Sequence, residues 1–284
     1  MRSLLQRVAT ILITVLVGGF LGASLVRFSP GFGVDEAELD PTRSAASIAA
    51  IRGESGVNEN IVAFYFHYLY RMAHGDLGTS RTLNRPVAEL IRERLPETMK
   101  SVALGLGVGW ALGFALAIPA VMLRSWLVDV SASAIAGSLL CVPAGVFALV
   151  FVLIRAPGRL VVALIVFPKV FRFARNLLAR SAELPHVLTA RAKGLSEIRI
   201  FFWHILPSVG PQLLALAGIS VSLAFAATIP VEVLCDLPGI GQLAWKAALG
   251  RDLYLLVNLT LIVTVITLIA NTTADLAKPR RSEA

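Results

Sequence analysis

Long, uninterrupted blocks of apolar residues dominate this chain and limit the folds that it can adopt. Of its 284 residues, 56% are hydrophobic and only 15% are charged, whereas charged residues make up about a quarter of an ordinary soluble protein. A soluble protein of this length would place its apolar residues at helical or strand spacing instead of in blocks. The blocks therefore indicate an all-α, polytopic membrane protein whose helices face lipid.

Six such blocks predict about six transmembrane helices, because roughly 20 apolar residues are needed to cross a bilayer. The first block, Val8 to Val26, is longer than the roughly 7 to 15 apolar residues of a cleaved signal peptide. We therefore interpret residues 1–28 as an uncleaved first transmembrane helix. The remaining blocks are Ser101 to Leu123, Val130 to Ile154, Leu160 to about Val170, Val209 to Val231 and Leu253 to Ala270.

The block that begins at Leu160 is the shortest of the six. Lys169 and Arg172 enter before a full bilayer width is covered. We expect this helix to be short, tilted or sheltered by its neighbours.

Basic residues beside the blocks predict the orientation, because Lys and Arg favour the cytoplasmic side. An inside start places Arg2, Arg7, the stretch Arg172 to Arg199 and the basic tail in the cytoplasm, so both termini are expected there. Residues 29–100, which carry a cluster of acids at their start, then form an outer segment. Residues 101–284 form the main transmembrane domain.

The net charge of +8 does not indicate a nucleic-acid partner. Lys and Arg lie between apolar blocks, without the aromatic interleaving or the basic face that nucleic-acid binding requires. Membrane lipid is the expected partner of this surface.

The largest predicted cytoplasmic loop, residues 175–207, has the pattern helix, glycine bend, helix. Ala190 and Gly194 lie four residues apart, so they share one helical face that would admit close approach by another protein. Gly194 is expected to end or kink the first helix, and Ser196 to cap a second one from Glu197 to Leu206. A basic loop that only sets the topology would explain the same charges.

This loop resembles the cytoplasmic "EAA" loop of ABC importer permeases. Thr189 to Gly194 reads TARAKG, the run typical of the dipeptide and oligopeptide branch of that family. Leu188 stands where the general motif begins with Glu, and His204 stands at a usually aliphatic position. Two further segments resemble the family: Gly75 to Ser80, ahead of the second span, and the stretch between the last two spans with Val231, Glu232, Pro238, Gly239, Gly241, Arg251 and Asp252.

The resemblance implies the ABC importer type I permease fold and a place in the bacterial inner membrane. It implies a permease subunit of an ATP-driven importer that forms half of the translocation path for peptides or a similar small solute. The implied partners are a second homologous permease, two ABC ATPase subunits and an external solute-binding protein.

The resemblance also assigns roles to residues. The ATPase-coupling residues would be Thr189, Ala190, Arg191, Ala192, Lys193, Gly194, Leu206 and Pro207. An outer gate or a structural turn would comprise Glu232, Pro238, Gly239, Gly241, Arg251 and Asp252. Arg191 and Lys193 are expected to pair with acids of the ATPase, while Ala190 and Gly194 supply the close apolar fit.

The sequence predicts no enzyme, cofactor or metal site. His67, His74, His186 and His204 lack metal-ligand spacing, and the absence of a P-loop means that another subunit would have to bind ATP. An ion-coupled secondary transporter is one alternative, although the apolar blocks are poor in the ionisable groups that ion coupling needs. A diverged permease without transport activity is another, because the connection between Ile154 and Leu160 is shorter than in the family.

Overall fold

A computed structural model describes residues 9, 13–14, 16–21, 24, 28, 61–123 and 125–276. From Ile61 onward, these residues form ten α-helices, one short π-helix and one small antiparallel hairpin, which confirms the all-α prediction. The elements are α1 (Ile61–Ala73), β1 (Thr79–Ser80), β2 (Arg85–Pro86), α2 (Val87–Met122), α3 (Trp126–Leu140), α4 (Ala144–Leu153), α5 (Arg159–Ala182), α6 (Pro185–Ala192), α7 (Glu197–Ile200), the π-helix (Phe201–Ile205), α8 (Leu206–Leu234), α9 (Ile240–Leu249) and α10 (Leu253–Leu276).

Three described helical stretches are long and apolar enough to cross a membrane: Val87–Met122, Glu197–Leu234 and Tyr254–Ala274. A fourth crossing is added if the bent pair α3 and α4 counts as one span. The predicted first span, residues 1–28, lies largely outside the described residues. The block at Leu160 forms the first half of α5, whose second half carries Arg172, Arg175 and Arg180. The number of six spans stays a prediction.

The predicted span from Val130 to Ile154 is broken in the structure. Its two helices, α3 and α4, meet at an angle of 92°. The break falls at Pro143, which occupies the N-cap position of α4 with ψ 144°. Proline has no backbone N–H to donate, and it disfavours a helical conformation for the preceding residue, so the first helix cannot continue.

The helix α2 extends further towards the N-terminus than the apolar block from Ser101. It begins at Val87, directly after Pro86, and runs for 36 residues without interruption through Pro96. The end of the predicted outer segment, residues 87–100, and the second predicted span are thus one helix. Hydropathy locates where a helix becomes apolar, whereas the helix itself began earlier.

The described residues divide into two compact units. One comprises described residues of Met1–Glu93 and Ala244–Val265, and the other those of Arg94–Leu243 and Ile266–Ala284. We refer to them as the hairpin unit and the bundle unit.

In the bundle unit, a row of glycines allows α2 to pack closely against α5. A β-carbon at Gly105 would lie 2.4 Å from Cγ1 of Val162, much closer than van der Waals contact. The same relation repeats every four residues along both helices, which is the spacing of one helical face. The further pairs are Gly109 with Val166 and Gly113 with Val170.

A large buried cluster of the bundle unit lies where the second half of α5 meets α6 and the π-helix. Phe171, Leu178 and Ile205 are fully buried there, and Val187 contributes from α6. This cluster fixes the predicted cytoplasmic loop against the end of α5.

In the hairpin unit, α1 carries a nearly buried aromatic side chain. The hydroxyl group of Tyr65 donates to the carbonyl oxygen of Leu16 at 2.8 Å. The turn after α1 uses Gly75 and Gly78, whose φ angles of 83° and 76° lie in the left-handed region that favours glycine. In the hairpin that follows, Thr79 pairs with Pro86 and Ser80 with Arg85.

Candidate coupling loop and buried carboxylates

Within the predicted coupling loop, glycine ends the helix α6 as expected. Gly194 has φ 75°. Its N–H donates to the carbonyl of Arg191 at 2.9 Å, and the N–H of Leu195 donates to that of Ala190 at 3.3 Å. These two bonds form a Schellman motif, which satisfies carbonyl groups at the end of a helix. The chain therefore turns sharply at a fixed position.

The face of α6 that contains Ala190 is turned inward. Ala190 is only 3% exposed and belongs to the buried cluster with Val187 and Ile205. In this conformation Ala190 packs inside the loop, and its expected contact with another protein stays a prediction. The exposed side of α6 instead carries Leu188, Thr189 and Ala192, followed by the exposed Lys193 and Gly194.

Arg191 already has partners within the loop. Its Nε donates to Oε1 of Glu197 at 2.9 Å, and its Nη1 donates to the carbonyl of Ala182 at 3.0 Å. It ties the end of α5 to the start of α7 instead of presenting its charge outward. The predicted ion pair between Arg191 and an ATPase would require these contacts to be exchanged, whereas Lys193 is exposed.

The second helix of the loop differs from its prediction. Ser196 takes the N-cap position of α7, but its side chain makes no capping hydrogen bond. After four residues the chain enters the π-helix, and α8 then continues to Leu234 instead of ending at Leu206. Leu206 is partly buried against the cluster, and Pro207 is exposed in the first turn of α8.

Several exposed apolar side chains on the loop were not predicted as site residues. Leu184 is 39% exposed, Leu188 52% and Ile198 73%. Such side chains lower the free energy when a partner covers them, by about 25 cal/mol for each Å² removed from water. Their apolar character was visible in the sequence, but their exposure was not.

Part of the predicted gate or turn forms a closed hydrogen-bond network around Glu232, which is fully buried. Its Oε1 accepts from the hydroxyl of Thr98 at 2.7 Å, and its Oε2 accepts from the N–H of Gly241 at 2.6 Å. Thr98 in turn accepts from the N–H of Ile240 at 2.8 Å. These bonds join the end of α8 to the start of α9 and both of them to α2, so the arrangement has the properties of a structural turn.

Gly239 is required by the same network. A β-carbon at this position would lie 2.1 Å from Oε1 of Glu232, closer than any real contact. The carboxylate therefore occupies the space that a side chain would need. Pro238, the neighbouring predicted residue, is exposed.

Arg251 and Asp252 belong to the hairpin unit, where Asp252 caps α10. Its Oδ1 accepts from the N–H of Leu255 at 3.1 Å, the third helical residue, as an N-cap side chain does. Its Oδ2 accepts from the hydroxyl of Ser80 at 2.6 Å. Arg251 precedes it with φ 53°, in the left-handed region. The two residues thus form a structural turn within the hairpin unit.

Two ion pairs of the bundle unit were not predicted from the sequence. Arg159 Nε donates to Oε1 of Glu97 at 2.7 Å. Arg175 donates to both carboxylate oxygens of Asp129, from Nε to Oδ1 at 2.8 Å and from Nη2 to Oδ2. The first pair joins α5 to α2 and the second joins α5 to α3. The partners lie 62 and 46 residues apart in sequence, so no local pattern indicates them.

Comparison with known protein families shows to which family this chain belongs. Residues 90–282 match the model of the family described as the binding-protein-dependent transport system inner membrane component. The chain belongs to this family. The matched residues include the coupling loop and the network around Glu232. This permease is therefore the inner-membrane component of a binding-protein-dependent transport system.

Relatives of known name agree with this assignment. The permease is 26% identical to a protein of Brucella suis biovar 1 named for a peptide transport system permease, over 88% of each chain. It is also 26% identical to the oligopeptide transport system permease protein OppB of Escherichia coli strain K12, over 93% of this chain and 90% of OppB. Among the described residues, no three His, Cys, Asp or Glu side chains are grouped so that they could hold a metal ion.

Proposed function

We propose that this permease forms half of the translocation path of an ATP-driven importer for peptides or similar small solutes. In this proposal α6 is the helix that docks on a cytoplasmic ATPase subunit. The supporting observation is the geometry of α6: one face is anchored in the buried cluster through Val187 and Ala190, and the opposite face is exposed. The peptide class follows the names of the relatives.

The assembly would contain a second homologous permease, two ABC ATPase subunits and an external solute-binding protein. Both termini would lie in the cytoplasm, which places the basic loop beside the ATPase and residues 29–100 on the outer side. This orientation follows the distribution of Lys and Arg around the spans.

The physical basis of docking would be apolar contact more than charge. An exposed ion pair contributes about 0 to 1 kcal/mol, and Arg191 is already engaged with Glu197. Fully burying a leucine contributes about 1.5 to 3 kcal/mol. Leu188, which is half exposed, would therefore contribute on the order of 1 kcal/mol when an ATPase covers it.

The experiment is affinity purification of the tagged permease from its own host membrane in mild detergent, with the bound proteins identified by mass spectrometry. We expect an ABC ATPase and a second permease to be recovered with the wild-type chain. Recovery of the tagged chain alone would refute the importer assembly.

A bulky substitution on the exposed face of α6 locates the contact. Ala192→Trp is expected to remove the ATPase, because the indole ring prevents close approach to the helix. Ala248→Trp is the matched control, since this alanine is also exposed and helical but lies in α9, outside the coupling loop. Equal ATPase recovery from both variants would contradict docking through α6.

Gly194→Trp should also remove the ATPase while membrane insertion is retained. A β-carbon there meets nothing within 4 Å, but the φ angle of 75° strains any other residue. This variant therefore changes the loop itself, and Ala192→Trp tests the contact more directly.

A further inference from the structure

The π-helix interrupts an otherwise α-helical run at the junction of the coupling loop and α8. The N–H of Leu206 donates to the carbonyl of Phe201, five residues earlier instead of four. Pro207 explains the wider turn: it has no N–H for the carbonyl of Trp203, and its ring would clash with that carbonyl in a regular α-helix. Single π turns inside α-helices occur frequently at functional sites.

On the N-terminal side of this junction, the π-helix is packed against α6 and the end of α5. Phe201 and Ile205 are 6% and 0% exposed, and they share a buried cluster with Val187 and Ala190 of α6. Leu178, near the end of α5, belongs to the same cluster. Because a close-packed core transmits displacement instead of absorbing it, these parts should move as one body.

On the C-terminal side, a pair of serines crosses the junction. Ser181 lies in the last turn of α5 and Ser208 in the first turn of α8, and their hydroxyl groups are hydrogen-bonded. The hydroxyl of Ser208 also lies 2.7 Å from the carbonyl oxygen of Ile205, to which it donates. Ser181 is 3% exposed, so water does not readily replace it as a partner.

We propose that the π-helix is the pivot between the coupling loop and α8, and that the Ser181–Ser208 bond is the latch across it. A displacement of α6 then carries the π-helix with it, and α8 changes its angle only when the latch opens. Both serines are positioning residues for coupling. The role in coupling rests on the proposed function, whereas the pivot and its latch are properties of this chain alone.

Hydrogen–deuterium exchange on the full-length permease in nanodiscs tests the latch without any partner. Loss of a single hydrogen bond should raise the equilibrium constant for local opening about fivefold. Ser181→Ala and Ser208→Ala should each raise amide exchange of residues 201–210 about fivefold. The double variant should resemble Ser208→Ala, which lacks both the latch bond and the bond from Ser208 to the carbonyl oxygen of Ile205. Ser208→Thr, which keeps a hydroxyl group, should restore slow exchange.

Ser220→Ala is the matched control. Ser220 is also buried in α8, at 2% exposure, but its hydroxyl donates to the carbonyl of Leu216 in the same helix. It should leave exchange at residues 201–210 unchanged. The latch is refuted if the Ser181 and Ser208 variants exchange like the wild type, or if Ser220→Ala has the same effect at residues 201–210.

The role in coupling is measured in the complex that co-purifies with the permease, reconstituted in liposomes. We expect Ser208→Ala to lower the amount of solute moved per ATP hydrolysed severalfold, and Ser208→Thr to restore it. Faster exchange with an unchanged ratio would overturn the coupling role. If no ATPase co-purifies, the proposed function fails, while the exchange result still decides whether the Ser181–Ser208 latch exists.

Discussion

Adding one methyl group at the interface of α2 and α5 should destabilise the bundle unit. The β-carbon of Gly105→Ala would lie 2.4 Å from Cγ1 and 2.7 Å from Cβ of Val162. Ordinary contact begins at 3.4 Å, so the helices must separate by about 1 Å. Such overpacking costs about 1 to 3 kcal/mol.

Gly107→Ala is the control for this prediction, because a β-carbon at Gly107 meets nothing within 4 Å. Both variants gain the same helix propensity, about 1 kcal/mol for alanine over glycine. The difference between their unfolding free energies should therefore be the overpacking cost alone. The graded distances predict an order of cost from Gly105 through Gly113 to Gly109, since the β-carbon at these positions would lie 2.4, 2.8 and 3.0 Å from the facing valine.

Unfolding of the purified variants in mixed micelles, followed by tryptophan fluorescence during titration with a denaturing detergent, measures these differences. Gly105→Ala should unfold at the lowest detergent fraction. If Gly105→Ala is as stable as Gly107→Ala, the close approach of α2 and α5 at this glycine is refuted.

Three further changes test the polar contacts. Asp252→Ala removes the N-cap of α10 and should lower stability by about 0.5 to 2 kcal/mol, measured in the same titration; Asp252→Asn should lose less. The Arg71 guanidinium, together with a backbone N–H, lowers the pKa of Asp76 below its usual value. The contact therefore stabilises the folded chain fully above about pH 4, and this contribution is lost as the pH falls through the lowered pKa. NMR titration of the carboxyl group should show a higher pKa in Arg71→Gln. Asp129→Asn should lower the free energy of unfolding more than the double variant Asp129→Asn with Arg175→Gln, because the single change leaves Arg175 half-buried without its carboxylate partner. An equal loss of stability in the two variants would contradict the ion pair.

The sequence predicted where a helix of the coupling loop ends better than it predicted which side of that helix is buried. Gly194 was expected to end a helix, and it does so because only glycine adopts its φ angle without strain. The inward position of Ala190 was not predicted, because both sides of α6 carry apolar residues. Which side is covered depends on Ile205 and Leu178, which are brought there by other helices.

Helix ends within the apolar blocks were also hard to predict. Pro143 breaks one block, whereas Pro119 lies within another block and α2 continues past it to Met122. The composition of a block shows that it is apolar, but whether a proline breaks the helix depends on its tertiary neighbours. The network around Glu232 shows the same limit, since Thr98 lies 134 residues away in the sequence.

The contact between Glu232 and Gly239 has a consequence for how the two positions can change over generations. A residue with a side chain fits at position 239 only after Glu232 has been replaced by a smaller residue. Once Glu232 is lost, glycine is no longer required at position 239. The order of substitutions is therefore constrained, with the acid changing first. Lineages of this permease should inherit the pair together or lose it in that order.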